Sequence, residues 1–485
     1  MSNLIMNKLL KINNIFSKLD IYAKNSKSRI RNINNGLSLT DVVLYKFKCT
    51  NINSTKTSAC SDINFKNVIN GKFKKDRTLF YKKEMHLNLS FYENLRNDIF
   101  NMCLDVCEEN FNDKFIPINT DGSVTHSKIK KNNKNLELST NMGYTFSKLN
   151  IPLHLTYNGP FRNDEIQNLK NFINGNKLKN LMYVCDRAYF SYDLFNFINE
   201  HDSKCIIRID NDSLLISKNE NKINKSKDKL TINNIIKNYR VIKKEYIGYS
   251  TIVLKGKQKK TIKKKTSIYL LTNLSDKDKN GNYIYSDNDI IDLYKKRWNV
   301  EIFFKFIKNC FKFQEQNGKN NNENQKLNEC ILILTYICNM ITHLYQKKVN
   351  LTETIIRKKR DRKLNKIKTD IKIVTYTQKI NQTLLMEGIF NNLLDTLIKG
   401  QLKLKILDAY LNSYVEYSVN EENRHFDRVC KTPFKKWYIK QYAMMYKWSK
   451  IIQAIENDTV ANLNKNLKLI ANEILKIMKT VKKKH

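Results

Sequence analysis

Residues 162–210, RNDEIQNLKNFINGNKLKNLMYVCDRAYFSYDLFNFINEHDSKCIIRID, decide the fold class. A helical segment closed by Gly175 is followed by the short apolar run NLMYVCD, which ends on Asp186. A second helical segment, SYDLFNFINE, is followed by a second apolar run, KCIIRID. Helices that alternate with short apolar strands are typical of a sheet covered on both faces. We therefore predict an α/β fold built on a mixed sheet.

Strand-forming stretches also lie on both sides of this segment. From Lys114 onward KFIPIN, NLELST, YTFSKL and IPLHLTYNG are separated by turn residues, and the first ends at Thr120-Asp121-Gly122. Residues from about 211 to 286 contain NYRVIKKEYIG, STIVLKG and KTSIYLLTNL, which we interpret as a small antiparallel insertion. Its basic run KGKQKKTIKKK is either a solvated edge or turn, or a DNA contact.

The two ends of the chain are predicted to be helical. LSLTDVVLYKF and LSFYENLRNDIFNMCLDVCEENF have helical spacing of apolar residues, and the polar stretch TNINSTKTSACSDINFKN between them is predicted to be a loop. We expect a helical DNA-binding region over 1–110, a catalytic domain over 111–346 and a basic helical region over 347–485 for DNA binding or dimerisation. In the last region RKKRDRKLNK is a nuclear import signal, a nucleic-acid arm or a charged loop.

The composition indicates a folded protein with a polyanionic partner. Hydrophobic residues make up 41% of the 485 residues, which excludes a disordered chain. Lys and Arg number 87 against 46 Asp and Glu, so the formal net charge is +41. Nucleic acid is the commonest partner of such a chain, and an anionic membrane surface is the alternative. RNA-binding proteins are equally basic, so charge alone does not select DNA.

The cysteines and the most apolar run are interpreted as core elements. The 10 cysteines form no CxxC pair, and Cys103 and Cys107, one helical turn apart, are predicted to be buried thiols rather than metal ligands. The run CILILTYICNMITHLY, residues 330–345, is predicted to be a buried helix, because it is short for a membrane span. Reduced cysteines without a secretory signal favour an intracellular compartment.

A polar stripe marks the helical stretch DLYKKRWNVEIFFKFIKNCF, residues 292–311. With about 100° per residue, and Tyr294 at zero, Arg297, Glu301 and Lys308 fall at about −60°, −20° and −40°. Apolar residues take the far side, which can bury: Val300, Phe303 and Ile307. The alternative interpretation of the stripe is a solvated face with ion pairs along the helix.

Two further acids follow apolar strands. Asp121 and Asp186 are either turn or cap residues, or they converge where neighbouring strands end. A helix across that edge would add Glu301. Three adjacent carboxylates repel each other unless a divalent cation lies between them, and oxygen ligands suit Mg²⁺ or Mn²⁺. Two such ions can activate water or a 3′-hydroxyl on a phosphodiester.

The spacing Y-x2-R-x3-E-x6-K from Tyr294 to Lys308 resembles the signature of the insertion-sequence-four-type DDE transposase family. CDRAYFS around Asp186 is similar to the family's Asp-Arg-Gly-Tyr pattern, with Ala188 in place of Gly, and NTDGSV resembles its first Asp motif. The resemblance covers about residues 110–345.

The resemblance implies an RNase H-like catalytic fold with a strand-rich insertion before the last catalytic helix. It also implies a DNA transposase, in which Asp121, Asp186 and Glu301 bind Mg²⁺ or Mn²⁺, as two ions. The enzyme would nick the end of an element, form a hairpin and join the end to target DNA. The implied partners are double-stranded DNA and a second copy of the chain, acting inside the cell at DNA and not on a membrane.

Two alternative functions remain open on the residues alone. The chain could be a catalytically silent transposase-derived DNA-binding protein, or an RNase H-fold nuclease without strand transfer.

Residues beside the acids are candidate DNA contacts. Tyr294, Arg297 and Lys308 would hold phosphates. Trp298 either makes a core or lid contact or stacks on an extruded base. Arg187 either contacts a phosphate or pairs with a neighbouring acid, and His126 is expected at the surface or a strand edge.

Overall fold

The structure is a computed structural model, and it describes most of the chain up to residue 420. The described residues are 11–28, 37–69, 71, 74–107, 115–127, 137–147, 151–158, 164–176, 178–210, 239–253, 259–281, 283–316, 318, 320–349, 352–355, 359–361, 366–368, 374–399 and 415–420. The chain forms two compact units, Met1–Val419 and Asn420–His485, and the described residues other than Asn420 belong to the first.

The helices occur before, between and after the strands of the main sheet. They are α1 (Leu19–Asn25), α2 (Leu39–Thr50), α3 (Lys56–Ile69), α4 (Arg77–Glu84), α5 (Leu89–Cys107), α6 (Glu165–Gly175), α7 (Tyr192–Glu200), α8 (Asp287–Lys295), α9 (Trp298–Cys310), α10 (Asn321–Val349), α11 (Gln382–Gly388) and α12 (Leu394–Ile398). A 3₁₀ turn covers Arg187–Tyr189, and a π turn covers Ile389–Leu393.

The main sheet has eight strands: β1 (Ile116–Ser127), β2 (Glu137–Phe146), β3 (Pro152–Tyr157), β4 (Leu181–Cys185), β5 (Lys204–Ile209), β6 (Arg240–Val253), β7 (Lys259–Thr272) and β8 (Glu315–Gln316). Their order is β3-β2-β1-β4-β5-β7-β6, and β8 pairs with β1. β4 and β5 run parallel to β1, while β2 is antiparallel to it. The sheet therefore combines parallel and antiparallel strands, which confirms the predicted mixed α/β sheet.

The strands expected as a small antiparallel insertion pair antiparallel with each other, and they extend this sheet beyond β5. β7 pairs antiparallel with β5 from Ile209↔Tyr269 to Ile206↔Thr272, and β6 pairs with β7. The segments NYRVIKKEYIG and STIVLKG form one continuous strand, not two. Leu270 and Leu271, which point to opposite faces, are both fully buried, so β7 belongs inside the sheet.

Both faces of the sheet are covered, as the alternation of helices and strands predicted. The larger core includes Leu169 of α6, Leu194 of α7 and Ile337 of α10. The smaller core joins the other face of β4 and β5 to α8, through Val184, Ile206, Ile290 and other residues. An apolar strand such as β4 is buried on both sides as a result.

The N-terminal helix α5 packs directly on α10. Phe100 of α5 and Tyr336 of α10 have ring centroids 5.3 Å apart, and Arg96 Nε donates to Glu329 Oε2 over 2.8 Å.

Residues 56–69 form α3, so the prediction of a loop in this part of the chain is wrong. Ala59, Cys60 and Ile63 lie about one helical turn apart and are buried, which stabilises a helix in spite of its polar composition.

The predicted core elements are found where expected. Cys103 and Cys107 are buried free thiols, and the apolar run lies within α10. Residues Asn321–Leu344 of this helix are long and apolar enough to cross a membrane, but 78% of the apolar window is buried inside the protein. Burial of this kind is what a core helix shows.

Strands as well as helices occur after residue 350, where only helices were expected. The described strands are β9 (Thr352–Ile355), β10 (Lys359–Asp361), β11 (Lys366–Lys368), β12 (Val374–Ile380) and β13 (Val415–Asn420). The basic run over 357–366 is described only in part, and residues 421–485 lie outside the described residues.

Candidate active site

Asp121 lies inside β1 and not at its end, which corrects the prediction. β1 continues to Ser127 because it pairs antiparallel with β2, where Asp121 stands opposite Gly143. Its parallel neighbour β4 stops earlier, with Cys185 opposite Thr120. Asp121 therefore lies where the parallel part of the sheet ends, with its side chain 26% exposed.

Asp186 is the first residue after β4. It caps the 3₁₀ turn, and its Oδ1 accepts a hydrogen bond from the backbone N–H of Arg187 over 2.5 Å. Because Thr120 and Cys185 are in register, Asp121 and Asp186 occupy the next level on adjacent strands. The cap interpretation and the convergence of the two acids are therefore compatible.

Glu301 lies on α9, and the stretch that contains it is two helices rather than one. α8 ends at Lys295 and α9 begins at Trp298. At the joint Arg297 N–H bonds to Tyr294 O over 3.0 Å, and Val300 N–H bonds to Arg297 O over 3.2 Å. These i to i+3 bonds tighten the turn.

A side chain of the sheet fixes this joint in place. Asn119 of β1 donates from Nδ2 to Lys296 O over 2.9 Å. The joint of the two helices is therefore tied to the strand that carries Asp121.

The back of α9 packs on the sheet as predicted. Val300, Phe303 and Ile307 are buried, and so is Phe304, which was expected at the edge of the polar stripe. Gly143 makes the close approach possible, because a Cβ at this position would lie 2.7 Å from Phe304 Cζ. Gly143 is the register partner of Asp121, so the helix reaches the sheet at the level of the acids.

The guanidinium of Arg297 lies between two of the predicted acids. Its Nη2 donates to Glu301 Oε1 over 2.6 Å, and its Nη1 is 3.9 Å from Asp121 Oδ2. Nη1 is buried and has no hydrogen-bond partner. Burial lowers the pKa of Arg297, but the bond to Glu301 and the charge of Asp186 outweigh it and raise the pKa. The three acids thus surround one cation.

Within the described residues no three or more His, Cys, Asp or Glu side chains form a metal-holding group. The donor set around Arg297 nevertheless fits a divalent ion. Burial raises the pKa of Asp121 to about 6, and the Glu165 and Glu301 carboxylates add to the rise, although the Gly122 N–H and Arg297 oppose it. A cation between these oxygens would relieve the repulsion.

Glu165 is an acid near this site that the sequence did not reveal. It is the first residue of α6, and a Cβ on Gly122 would lie 2.1 Å from its Oε1. Burial raises the pKa of the nearby Tyr189 phenol, and the charge of Glu165 adds to the rise. Its position at a helix start is typical of an ordinary first-turn acid, so the sequence carried no signal.

The candidate DNA contacts Tyr294, Arg297 and Lys308 differ in their neighbours and in the direction of their pKa shifts. Arg297 Cζ is 6.0 Å from the Tyr294 ring centroid, and Lys308 Nζ is 5.9 Å from that of Phe304. Burial raises the pKa of Tyr294, Asp186 adds to the rise, and Arg297 and Arg208 lower it. Burial also lowers the pKa of Lys308.

Three remaining predictions concern the rim of the site. Trp298 is 54% exposed, so it does not pack in the core, while the predicted lid contact stays a prediction. Arg187 pairs with a neighbouring acid, with Nη1 2.8 Å from Asp210 Oδ1. His126 is exposed on β1, as predicted.

Residues 145–337 match the family model of the transposase DDE domain. This segment contains Asp186 and Glu301, and it begins after Asp121. The match supports the activity of a DDE transposase, an enzyme that cuts and joins DNA, and this family uses divalent metal ions. It does not extend to the insertion-sequence-four type of signature.

No curated protein matches the chain significantly. A solved structure, the cryo-EM structure of a piggyBac transposase synaptic complex with hairpin DNA, is similar over 88% of this chain and 88% of that one. The identity is 12% and the TM-score is 0.33.

Proposed function

We propose that this DDE transposase performs metal-dependent strand cleavage and strand transfer at the ends of a transposable element, with Asp121, Asp186 and Glu301 as ligands of Mg²⁺ or Mn²⁺. One observation carries the assignment of the residues. Arg297 lies between Asp121 and Glu301, while Asp186 lies beside Asp121 on the next strand. The arrangement already gathers the oxygens around a positive charge.

When bound by Asp121, Asp186 and Glu301, divalent ions would activate the attacking hydroxyl and stabilise the leaving oxygen of a phosphodiester. The protein contributes the fixed positions of the ligands. Asp121 and Asp186 are held by the sheet, and Glu301 is held by a helix whose joint is tied to Asn119. Fixed ligands reduce the reorganisation required when DNA enters.

The cations of the stripe would orient the DNA backbone. Arg297 has one buried donor, Nη1, without a hydrogen-bond partner, and its planar fork suits a phosphate. Lys308 and Tyr294 add a point charge and a phenol along the same stripe. Trp298 is exposed beside them and would stack on a base extruded at a hairpin end.

The proposed reaction is cut-and-paste transposition through a hairpin. Water nicks one strand at the element's end, and the freed 3′-hydroxyl attacks the opposite strand. The hairpin is then opened, and the end is joined to target DNA. Two copies of the chain would hold two ends in the synaptic complex, and light scattering of the DNA-bound protein would measure this stoichiometry.

Cleavage by acid variants tests the assignment of the residues. The substrate is a plasmid carrying genomic DNA from both sides of the coding region, incubated with Mg²⁺ or Mn²⁺. We expect Asp186→Ala and Glu301→Ala to bind this DNA but to cut it only at background level. Asp292→Asn is the matched control, since this exposed acid of α8 pairs only with Lys295 among the described residues and should leave cutting unchanged. Cutting by Glu301→Ala at the wild-type rate would remove Glu301 from the site.

The products separate the proposed function from its alternatives. Joined strand-transfer products are expected from the wild-type protein. Cut ends without joined products would identify a nuclease, and binding without any cutting would identify a silent DNA-binding protein.

A further inference from the structure

Arg208 lies in line with the two acids of the sheet. Ile207 of β5 is in register with Cys185 of β4, so Arg208 stands beside Asp186 just as Asp186 stands beside Asp121. Three adjacent parallel strands therefore present Asp121, Asp186 and Arg208 at one level. The arginine is at the end of this row, on the side away from Glu301 and Arg297.

The alternation of β5 places Arg208 on the same face as the site helices. Ile207 and Ile209 bury into the larger core, while Ile206 buries into the smaller core with α8. Side chains two apart on a strand share a face, so Arg208 follows Ile206 toward α8, the helix that carries Tyr294.

The side chain opens onto a cleft of about 520 Å³. Five residues line the cleft, and they are Asp186, Arg187, Ala188, Arg208 and Asp210. Ala188 adds only a methyl group to the wall, so the cleft stays wide beside Asp186. The cleft adjoins Asp186, a proposed metal ligand, so a DNA strand bound in the cleft would pass beside the site of cleavage.

The two arginines of this cleft differ in their partners. Arg187 is paired with Asp210, whereas Arg208 makes no hydrogen bond or ion pair with any residue that the structure describes. A half-buried guanidinium without a partner is costly for a protein to maintain. It is a fitting site for an anion with several oxygens, because its five donors form a fixed fork.

We propose that Arg208 binds a phosphate of the DNA backbone in this cleft, next to the phosphodiester that is cut. The inference rests on the proposed function and deepens it, since it assigns a substrate contact outside the Y-R-E-K stripe. DNA would then be gripped on both sides of the acids, by Arg297 and Lys308 on one side and by Arg208 on the other.

The test measures DNA binding without cutting. Arg208→Gln, Arg208→Lys and Lys179→Gln are compared on duplexes copied from the genomic flanks, in EDTA and at several salt concentrations. Lys179 is the matched control, since it is exposed and precedes β4, at the opposite end of that strand from Asp186. We expect Arg208→Gln to bind about tenfold more weakly at low salt and to lose about 0.9 from the slope of log K against log salt, as one phosphate contact requires. Lys179→Gln should match the wild type.

Single methylphosphonate substitutions locate the contact. One neutral position should weaken the wild-type protein but leave Arg208→Gln unaffected, and Arg208→Lys should respond partly. Equal responses of the wild type and Arg208→Gln at every position would overturn the inference. Thermal unfolding checks the fold, and Arg208→Lys keeps the test valid if the Gln variant unfolds.

The outcomes separate the two proposals. If the wild-type protein binds DNA but does not cut it, the proposed function is wrong, and the Arg208 contact can still be measured by DNA binding. Cutting by the wild type, with unchanged binding and cutting by Arg208→Gln, would sink the Arg208 contact alone.

Discussion

At the residue scale, the site is organised around a single side chain. Arg297 contacts Glu301 directly and Asp121 at longer range, and its guanidinium keeps the carboxylates from repelling one another. A divalent ion bound by the same carboxylates would reduce their repulsion further, because it carries twice the charge of the guanidinium. If these carboxylates bind the ion as we propose, metal binding should be measurable in the protein without DNA.

We expect Mn²⁺ to raise the thermal unfolding midpoint of the wild-type protein, since a ligand that binds only the folded state stabilises it by RT ln(1 + [L]/Kd). An Asp186→Asn, Glu301→Gln double variant should lose this shift, because two oxygen ligands are removed. Asp292→Asn should keep it. A double variant with the full Mn²⁺ shift would show that the ion binds elsewhere.

His154 gives the fold a dependence on pH. Its ring stacks near Phe172, with centroids 5.8 Å apart, and burial lowers its pKa to about 3 from the ordinary 6.5, with Arg96 adding to the effect. The unfolded chain therefore takes up a proton below pH 6.5 that the folded chain does not. Stability should fall as the pH drops from 6.5 toward 3, by at most about 1.4 kcal/mol per pH unit from this group.

Urea unfolding of His154→Phe at several pH values measures that contribution. The variant keeps an aromatic ring against Phe172 but has no proton to gain, so its stability should decline less steeply with acid. Parallel curves for the variant and the wild type would contradict the assignment to His154.

At the element scale, the position of α9 depends on the absence of a side chain in β2. Gly143 faces Phe304, and no other residue type leaves this space free. The helix joint at Lys296 and Arg297 is tied to β1 through Asn119. Together these contacts set the height of Glu301 above the sheet.

Gly143→Ala should move the Phe304 ring and with it α9. Overpacking of this kind costs about 1–3 kcal/mol, and cleavage should fall because Glu301 moves away from the sheet. Adding Phe304→Leu to Gly143→Ala should restore part of the lost stability and part of the lost cleavage. Gly175→Ala is the control, since nothing lies within 4 Å of a Cβ there. Urea unfolding and the plasmid assay measure the two effects.

The contact between α5 and α10 contains a buried ion pair. Glu329 is fully buried and accepts hydrogen bonds from Arg96 and from Gln325. Arg96→Met would leave the carboxylate without its cation, at a cost of about 3–5 kcal/mol. The Arg96→Met, Glu329→Gln pair should recover much of this in urea unfolding. Lys295→Met, which breaks an exposed pair, should change stability by less than about 1 kcal/mol.

At the scale of the whole molecule, the excess of basic residues predicts binding dominated by phosphate contacts. If six to ten phosphates are neutralised, affinity should drop about 10³–10⁵-fold between 50 and 200 mM salt. Fluorescence anisotropy with labelled duplex DNA measures this loss. An affinity that does not change with salt would contradict a phosphate-gripping surface.

The sequence predicted the elements with strong local signals and missed those set by distant contacts. The helices and strands between 164 and 209 were correct, because their periodicity and turn residues agree. Helix α3 was missed, since its polar composition hides the buried face of Ala59 and Ile63. The extension of the main sheet by β7 could not be predicted, because pairing with β5 joins residues about sixty positions apart.

The candidate site shows the same division. Asp121, Asp186 and Glu301 were identified by order and spacing, and their roles remain proposals. Glu165 and Arg208 carried no motif. The register of β4 and β5 shows that Arg208 lies beside Asp186, and the approach of Glu165 to Gly122 shows that this acid lies near Asp121. A resemblance along the chain could not supply that information.

The bond between Arg297 and Glu301 has a consequence for how the protein matures. A carboxylate cluster with no resident counter-charge would hinder collapse of the newly made chain until ions arrived. Here the chain supplies its own positive group, so folding does not require an ion at these carboxylates. If they bind Mg²⁺ as we propose, ion binding is a separate step that follows folding.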